Sequence, residues 1–238
     1  MHILAKPGDI AEKVIVCGDP ARVKQIASSM LKEVKLVNEN RGFLIYTGYY
    51  DDMRVSVAVH GIGAPSAAIV FEELRMLGAK IMVRLGTAGA FIKELKVGNF
   101  IVATGAAYAH GGNSLGMYIP DGCMAAVPDF EVTAALVNSA KKFGENVILG
   151  PVFSSDAFYA EDPDFAKRWS SRGIIAVEME CASFFALGLM RRFKAGALLM
   201  ISNNLMEPSA GFARAEELRE RAEKAAKIVL EALKTITL

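Results

Sequence analysis

The distribution of hydrophobic and polar positions divides the chain into short apolar runs and longer amphipathic stretches. The apolar runs within Lys13–Gly18, Lys80–Leu85 and Ala195–Ser202 have the length and composition of buried strands. In Arg214–Thr235, by contrast, apolar positions recur at helical spacing and charges of alternating sign occupy the other face. Because strands and helices alternate along most of the chain, the pattern predicts an α/β fold.

The same pattern predicts where the individual elements lie. Strands are predicted at Lys13–Gly18, Glu33–Asn38, Phe43–Tyr50, Arg54–His60, Lys80–Leu85, Asn99–Thr104, Asn146–Phe153, Gly173–Val177 and Ala195–Ser202. Helices are predicted at Ala21–Leu31, from residue 67 to about 77, and at Asp129–Phe143, Asp162–Trp169, Cys181–Met190 and Arg214–Thr235. Asp51–Met53 joins two neighbouring strands as a hairpin, so the sheet should contain antiparallel pairs. We expect a single domain, residues 1–238, with a mixed central β-sheet flanked by helices.

Composition narrows the classes of protein to which the chain can belong. Hydrophobic residues make up 53% and charged residues 22%, which suits a large core plus a buried subunit interface. The longest apolar run, near Ala197–Ile201, is far shorter than the roughly 20 residues of a membrane-spanning helix. A formal net charge of +1 gives no general attraction to nucleic acid or to anionic membranes. Since no secretory signal is visible either, we expect a cytoplasmic protein that binds neither nucleic acid nor membrane.

Metal binding and a disulfide framework are not expected. The three cysteines form no CxxC pair, and the three histidines have no spacing typical of metal ligands. His60, at the end of a predicted strand, is interpreted as a structural histidine with its polar atoms satisfied. Cys17 and Cys181 lie in apolar runs and are interpreted as small buried side chains. Cys123 lies in a polar stretch, where it could be exposed and bridge two subunits.

Two glutamates follow the apolar run that ends at Val177. Glu178 and Glu180 lie within Gly173–Ala182, where nearly every other residue is apolar. Ionised carboxylates in such surroundings cost several kcal/mol unless a polar group pairs with them. Ligands of α/β proteins bind in the crevice at the carboxyl ends of strands. The two glutamates therefore mark a candidate site.

Two arginines beside glycines indicate that this site binds an anion. In Gly18–Arg22 a glycine ends a strand and a helix begins, so that backbone N–H groups and the arginine can hold an anion together. In Arg84–Gly89 an arginine near the end of a buried strand needs an anionic partner, and Thr87 can offer both a hydroxyl and an amide. Because two separate stretches offer an arginine beside a glycine, we expect the bound anion to be phosphate. Arg41 is ambiguous by itself, and an arginine in such a position is more often a turn residue.

Three further stretches have a functional and a structural interpretation. Ser202–Asn204 ends the last strand near the same crevice, where an asparagine amide can donate and accept hydrogen bonds with a ligand. The alternative interpretation of this stretch is a polar turn. Phe158 follows another strand and either stacks on a ligand or belongs to the core. Gly61–Ser66 resembles the start of a dinucleotide fingerprint, but it lacks the third glycine and the acidic residue about 20 positions on. No nicotinamide or flavin cofactor is therefore expected.

Taken together, these motifs resemble the nucleoside phosphorylase-I family, in its hexameric branch of purine nucleoside and methylthioadenosine phosphorylases. The similarity covers essentially the whole chain, and its motifs occur in the family's order: GDPAR at 18–22, NRG at 40–42, HGIGAPS at 60–66, RLGTAGA at 84–90, SSDAFYAED at 154–162, VEMECA at 177–182 and SNN at 202–204. The resemblance implies phosphorolysis, in which a nucleoside and inorganic phosphate give a free base and ribose 1-phosphate. Phosphate is then a co-substrate, and no metal or other cofactor is required.

The resemblance also implies a role for each site residue. Phosphate would be held by Gly18, Arg22, Arg84 and Thr87, joined by Arg41 of a neighbouring subunit. The ribose would be bound by Glu180 through its 2′ and 3′ hydroxyls, by Met179, and by the neighbour's His2 near the 5′ position. The base would stack on Phe158, with Glu178 and Asn203 beside it. Within this set, the residues implied to act in catalysis are Asn203, Arg84 and Glu180. If His2 and Arg41 complete a neighbour's site, the active unit is at least a dimer, within a hexamer built as a trimer of dimers.

Asn203 departs from the pattern of this branch. Many members carry an aspartate there, which acts as the general acid for 6-aminopurines. An amide cannot deliver a proton, but it can donate to a 6-oxo oxygen, so we expect a preference for guanosine and inosine over adenosine. An arginine assists that aspartate in some relatives, and Arg214 is a candidate for its counterpart. The alternatives are a 5′-methylthioadenosine phosphorylase, a uridine phosphorylase, a nucleoside hydrolase and a non-catalytic nucleoside-binding protein.

Overall fold

One mixed β-sheet runs through the protein. The computed structural model describes residues 1–207, 213 and 218–238. The strands within these ranges are β1 Lys13–Cys17, β2 Lys32–Asn38, β3 Ile45–Tyr50, β4 Met53–Val59, β5 Ile81–Ala90, β6 Phe100–Tyr108, β7 Ile148–Ser154, β8 Ala176–Glu178 and β9 Lys194–Asn204. The helices are α1 Pro20–Met30, α2 Ala64–Met76, α3 Leu115–Tyr118, α4 Phe130–Lys142, α5 Phe165–Ser170, α6 Cys181–Arg191 and α7 Arg219–Thr235.

The strand order places the predicted site at the centre of the sheet. The order is β2-β3-β4-β1-β5-β8-β7-β6-β9, and β9 also pairs in parallel with β5. Strands β5 to β9 therefore close a ring beside an open half that contains the antiparallel β3–β4 hairpin. Strand β1 lies parallel to both β4 and β5, so the carboxyl ends of β1 and β5 are neighbours.

Helices cover both faces of this sheet. Helices α2 and α6 pack together on one face, where Phe71, Leu74, Phe184 and Phe185 are completely buried. Helices α1, α4 and α7 cover the other face, with Ile228 among the core residues. Both predictions, the mixed sheet flanked by helices and the antiparallel hairpin, are confirmed. No helix in the described ranges is long and apolar enough to cross a membrane.

Several predicted boundaries were wrong. Strand β5 does not end at Leu85, because its pairing with β9 continues to Ala90 and takes the glycine-rich segment into the sheet. Strand β6 likewise extends beyond the predicted end at Thr104, to Tyr108. Strand β8 has only 3 residues, because the preceding Ile174 N–H bonds back to the end of α5 at Trp169. Arg214 lies outside the described residues, and α7 begins at Arg219.

The cysteines lie where they were expected. Cys17 and Cys181 are buried, and Cys123 is exposed. Burial raises the pKa of Cys17 to about 11 and that of Cys181 well above its usual value. Both thiols therefore stay protonated near neutral pH, which agrees with a packing role rather than a reactive one.

Candidate active site

A cleft of about 850 Å³ opens where β1, β5, β8 and β9 end. This volume suits a small ligand such as a nucleoside together with an anion. Of the residues predicted for the site, 9 line it: Gly18, Arg22, Arg84, Thr87, Phe158, Glu178, Met179, Glu180 and Asn203. His2 and Arg41 are not among its lining residues.

Arg84 is the polar partner that the two glutamates require. Its side chain and those of Glu178 and Glu180 are each 5% exposed or less. The Arg84 Nη2 donates to Glu180 Oε2 and lies 3.2 Å from Glu178 Oε2. The guanidinium folds back across Gly86, where any Cβ would collide with it. Glycine at position 86 therefore allows a buried arginine to reach both carboxylates from within a strand.

The surroundings of Glu180 keep its carboxylate ionised. Burial alone would raise the pKa of Glu180, but Arg84, His60 and the Gly63 N–H together lower it below the usual value. The Gly63 N–H donates to Glu180 Oε1 at 2.6 Å. An ionised carboxylate at the cleft can accept hydrogen bonds from ligand hydroxyl groups, which is the role predicted for Glu180.

The partners of Glu178 lie at Ser154 and at the start of α6. Its oxygens accept hydrogen bonds from the Ser154 hydroxyl and from the backbone N–H groups of Glu180 and Cys181. These N–H groups belong to the N-terminus of α6, where a carboxylate is favoured by otherwise unpaired donors and by the helix dipole. Glu178 thus orients Glu180 and the start of α6. Its base-side role remains a prediction.

The two predicted anion-binding stretches converge on one side of the cleft. Asp19 caps α1 by accepting a hydrogen bond from the Ala21 N–H, and a proline begins the helix. Arg22, in the first turn, donates from Nη1 to the Leu85 carbonyl at 3.2 Å, so it is held beside β5. A Cβ on Gly18 would lie 3.0 Å from the Gly61 carbonyl oxygen, which explains the glycine there. Two guanidinium groups, backbone amides and Thr87 consequently line the same cleft.

Phe158 and Asn203 lie in the cleft on other elements. Phe158 is half-exposed in a single 3₁₀ turn at Phe158–Ala160. Asn203 lies near the end of β9, and its Oδ1 accepts a hydrogen bond from the Ser202 hydroxyl at 3.2 Å. An aromatic face and a primary amide in one cleft can stack on a flat base and hydrogen-bond its edge.

His2 and Arg41 lie together on the surface, away from the lining of this cleft. His2 Nδ1 is 2.9 Å from Glu73 Oε1, and the same carboxylate accepts the His2 and Ile3 backbone N–H groups. The Asn40 side chain donates to the His2 carbonyl at 2.8 Å, which holds the turn containing Arg41 against the N-terminus. Arg41 itself is exposed, with φ of 57°. Neither residue lines the cleft of its own chain.

His60 does not have the satisfied polar atoms expected of it. Its ring is completely buried, and neither ring nitrogen makes a hydrogen bond of standard geometry within the described part of the chain, although the Gly61 backbone lies close enough to oppose the fall of its pKa. Burial, together with the charge of Arg84, lowers the pKa of His60 to about 4 although Glu180 opposes the shift. The imidazole is therefore neutral at physiological pH and packs against Phe71.

The sequence interpretation missed Asn113, which holds the backbone around Glu180. Asn113 is completely buried with φ of 52°. Its Nδ2 donates to the Met179 carbonyl at 3.0 Å, and its Oδ1 accepts the Ser183 N–H at 2.8 Å. Its own backbone N–H donates to Asp156 at 2.7 Å. An asparagine in a glycine-rich polar stretch carries no signal of burial, so sequence alone could not separate it from a surface turn.

Comparisons with known proteins match the chain over nearly its whole length. The family model described as the phosphorylase superfamily matches residues 12–237. A guanosine phosphorylase from Halorubrum lacusprofundi is 36% identical over 237 residues, covering 98% of this chain and 97% of that protein. A DeoD-type purine nucleoside phosphorylase from Caldanaerobacter subterraneus subsp. tengcongensis is 34% identical over 232 residues, covering 97% and 98% of the two chains. A DeoD-type enzyme from Yersinia enterocolitica is 37% identical over 206 residues, covering 86% and 85%.

Proposed function

The chain belongs to the phosphorylase superfamily, and we propose that it is a purine nucleoside phosphorylase, a pentosyltransferase that cleaves nucleosides with inorganic phosphate. The observation that carries this proposal is the convergence of Arg22, Arg84 and Glu180 on one cleft. Two cations beside a buried anionic hydrogen-bond acceptor suit a phosphate next to a ribose. A nucleoside hydrolase would have no use for the cationic side of the cleft, because water replaces phosphate in its reaction.

In the proposed reaction, phosphate bound by Gly18, Arg22, Arg84 and Thr87 attacks C1′ of the ribose. The C1′–N9 bond breaks, its electron pair passes to the base, and a C1′–O bond to phosphate forms. Positive charge develops on the ribose during this exchange, and the bound phosphate and ionised Glu180 stabilise it. Arg84 lines the cleft and pairs with Glu180, so it can hold phosphate and orient Glu180 at the same time.

The leaving base takes up electron density, which a hydrogen bond or proton at N7 must absorb. Asn203 can donate its amide N–H to a 6-oxo oxygen and accept from a protonated N7. It cannot supply a proton itself, so the proton on the released base comes from the hydrogen phosphate, which loses it on becoming ribose 1-phosphate. We therefore propose 6-oxopurine nucleosides, guanosine and inosine, as the preferred substrates, with the base stacked on Phe158. The relative from Halorubrum lacusprofundi that is named a guanosine phosphorylase supports this choice.

The active unit is proposed to contain at least two copies of the chain. His2 and Arg41 lie on the surface and are tied together through Asn40, so one surface patch can deliver both residues to a neighbour's cleft. Glu73 orients His2 for this purpose through Nδ1. A hexamer of three such dimers is the proposed assembly, and its mass in solution is measurable by light scattering.

The decisive experiment is an assay of base release from inosine with and without phosphate. We expect hypoxanthine and ribose 1-phosphate to appear only when phosphate is present. Release of free ribose without phosphate would indicate a hydrolase, and binding without product would indicate a non-catalytic nucleoside-binding protein. Methylthioadenosine and uridine are the comparison substrates, and a strong preference for either would assign the chain to the corresponding alternative.

Asn203→Asp is expected to shift the choice of base toward adenosine. An aspartate can carry the proton that a 6-aminopurine needs at N7, and general acid catalysis contributes about 10²–10⁴-fold. The ratio of kcat/KM for adenosine to that for inosine should therefore rise at least about tenfold in the variant. A native protein that already prefers adenosine strongly would contradict the role assigned to Asn203.

A further inference from the structure

Helix α6 begins directly after Glu180, and its first N–H groups need acceptors from outside the helix. Glu180 occupies the N-cap position, where a side chain usually accepts a hydrogen bond from the second or third N–H of the helix. The Glu180 side chain makes no such bond. Its carboxylate instead meets Arg84 and the Gly63 N–H at the cleft. The acceptors for the start of α6 therefore come from other residues.

Three side chains on other residues supply these acceptors. Glu178 accepts the first N–H of α6, and the Ser154 hydroxyl accepts the second at 2.9 Å. Asn113 Oδ1 accepts the third at 2.8 Å. Because all three N–H groups are satisfied in this way, the helix does not need Glu180 as a cap, and the Glu180 carboxylate can stay at the cleft.

Asn113 differs from the other two acceptors, because it also binds the backbone that precedes Glu180. Its Nδ2 donates to the Met179 carbonyl at 3.0 Å while its Oδ1 holds the third N–H of α6. The two contacts lie on either side of Glu180 along the chain. Asn113 is completely buried, so bulk water does not compete for either contact. Asn113 therefore fixes the backbone from which the Glu180 side chain extends.

The conformation of Asn113 is unusual and is held by a second polar residue. Its φ of 52° lies in the left-handed region, which is unfavourable for residues other than glycine. Asp156 Oδ2 accepts the Asn113 backbone N–H at 2.7 Å, and Asp156 Oδ1 lies 3.4 Å from Asn113 Nδ2. A Cβ on Gly112 would lie 2.6 Å from Asp156 Oδ2, so glycine there allows the approach. Strained residues persist where their surroundings over-determine them, and they cluster at functional sites.

We propose that Asn113, held by Asp156, is a positioning residue that keeps the Glu180 carboxylate directed at the ribose. The inference rests on the proposed function and adds to it a residue that does not line the cleft. Without the Asn113 amide, the third N–H of α6 loses its acceptor, and the side chain at the N-cap position is that of Glu180 itself. A carboxylate that turns to cap the helix no longer accepts hydrogen bonds from ribose hydroxyls.

Asn113→Gly removes the amide and tolerates the left-handed backbone, since glycine adopts positive φ readily. We expect kcat for inosine to fall about tenfold to a hundredfold, because a small misplacement of a catalytic group costs up to about 10²-fold. The ratio of kcat/KM for inosine to that for 2′-deoxyinosine should fall about tenfold, which is the contribution of one hydrogen bond to a charged group.

Ser114→Gly is the matched control for this substitution. It makes the same change at the next residue, which also has a left-handed φ of 62°, but it retains the Asn113 amide. We expect its inosine-to-2′-deoxyinosine ratio to equal that of the native protein. A variant that merely contains less folded protein loses activity with both substrates equally, so the ratio reports on the position of Glu180. An unchanged ratio in an active Asn113→Gly protein would overturn the inference.

Asp156 gives a second test, which leaves the buried amide in place. Asp156→Ala removes the acceptor of the Asn113 backbone N–H, whereas Asp156→Asn retains one oxygen for it. We expect the alanine variant to lose part of the preference for inosine over 2′-deoxyinosine and the asparagine variant to keep it. Because Asp156 is exposed, this pair decides the question if Asn113→Gly does not fold. A native ratio in Asp156→Ala would then contradict the inference.

A binding measurement separates failure of this inference from failure of the proposed function. Inosine and 2′-deoxyinosine are titrated calorimetrically into the native protein and Asn113→Gly without phosphate, so that no phosphorolysis occurs. A selective loss of inosine affinity in the variant supports the inference even if the native protein cleaves no nucleoside, an outcome that would sink only the proposed reaction. If inosine is cleaved with phosphate but Asn113→Gly changes neither the kcat/KM ratio nor the binding preference, the inference is wrong and the proposed function stands.

Discussion

Arg84→Met is expected to lower the free energy of unfolding by about 3–5 kcal/mol. Removing one member of a buried ion pair leaves the other charge uncompensated, and such changes cost about this much. Here a single arginine serves two carboxylates, Glu178 and Glu180, whose side chains are 0% and 5% exposed. Methionine is about as long as the aliphatic part of arginine, but it has no positive charge to compensate either glutamate. Denaturant unfolding at a fixed protein concentration measures the loss, because assembly also contributes to apparent stability.

Arg22→Met is the matched control for this substitution. Among the described residues, Arg22 is the other arginine that lines the cleft, and it donates to the Leu85 carbonyl rather than to a carboxylate. Both variants should bind phosphate weakly, whereas only Arg84→Met should lose several kcal/mol of stability. If the two variants were equally stable, the buried carboxylates of Glu178 and Glu180 would not depend on Arg84 for compensation of their charge, and the prediction would be wrong.

Glu180→Gln is expected to lower kcat/KM by about 10²–10³-fold for every nucleoside, since removal of a preorganised electrostatic group costs about this much. The ribose is common to all substrates, so the loss should not depend on the base. Glutamine retains the shape of the side chain but cannot stabilise positive charge on the sugar. The measurement is kcat/KM for guanosine, inosine and adenosine under saturating phosphate.

A second readout distinguishes this role from general disruption of the site. If Glu180 accepts hydrogen bonds from the 2′ and 3′ hydroxyls, the native protein should favour inosine over 2′-deoxyinosine, and Glu180→Gln should reduce that preference. Asn203→Asp is the contrasting variant, since it is expected to change the choice of base and not the choice of sugar. A Glu180→Gln protein that lost activity with one base only would contradict the assignment.

The periodicity of the sequence predicted most elements of the fold, but not their ends. Strand β5 was expected to stop where glycines begin, because glycine commonly marks a turn. Its partner β9 continues the parallel pairing to Ala90 and overrides that local signal. Strand β8 differs from its prediction in the opposite direction. Its apolar run predicted a longer strand, but the Ile174 N–H bonds to the Trp169 carbonyl in the turn after α5 and so does not pair in the sheet.

The residue types at the site determined its chemistry in advance. Glutamates in an apolar run require a cation, and arginines beside glycines at strand ends require an anion, because uncompensated charge is costly when buried. These requirements follow from the amino acids themselves, so the sequence sufficed to name Arg84, Glu178 and Glu180 as members of one site. The resemblance carried by the ordered motifs then extended the set to Phe158 and Asn203.

Only the tertiary structure decided which charged side chains form ion pairs with each other. Arg84 reaches both glutamates because strands β5 and β8 pair side by side and Gly86 leaves room for its guanidinium. Both glutamates line the cleft, but Glu178 accepts N–H groups at the start of α6 whereas Glu180 accepts the Gly63 N–H, a division that their neighbouring sequence positions could not reveal. Asn113 stood out only once distant segments had been brought together, because a side chain's partners depend on long-range packing and not on local sequence.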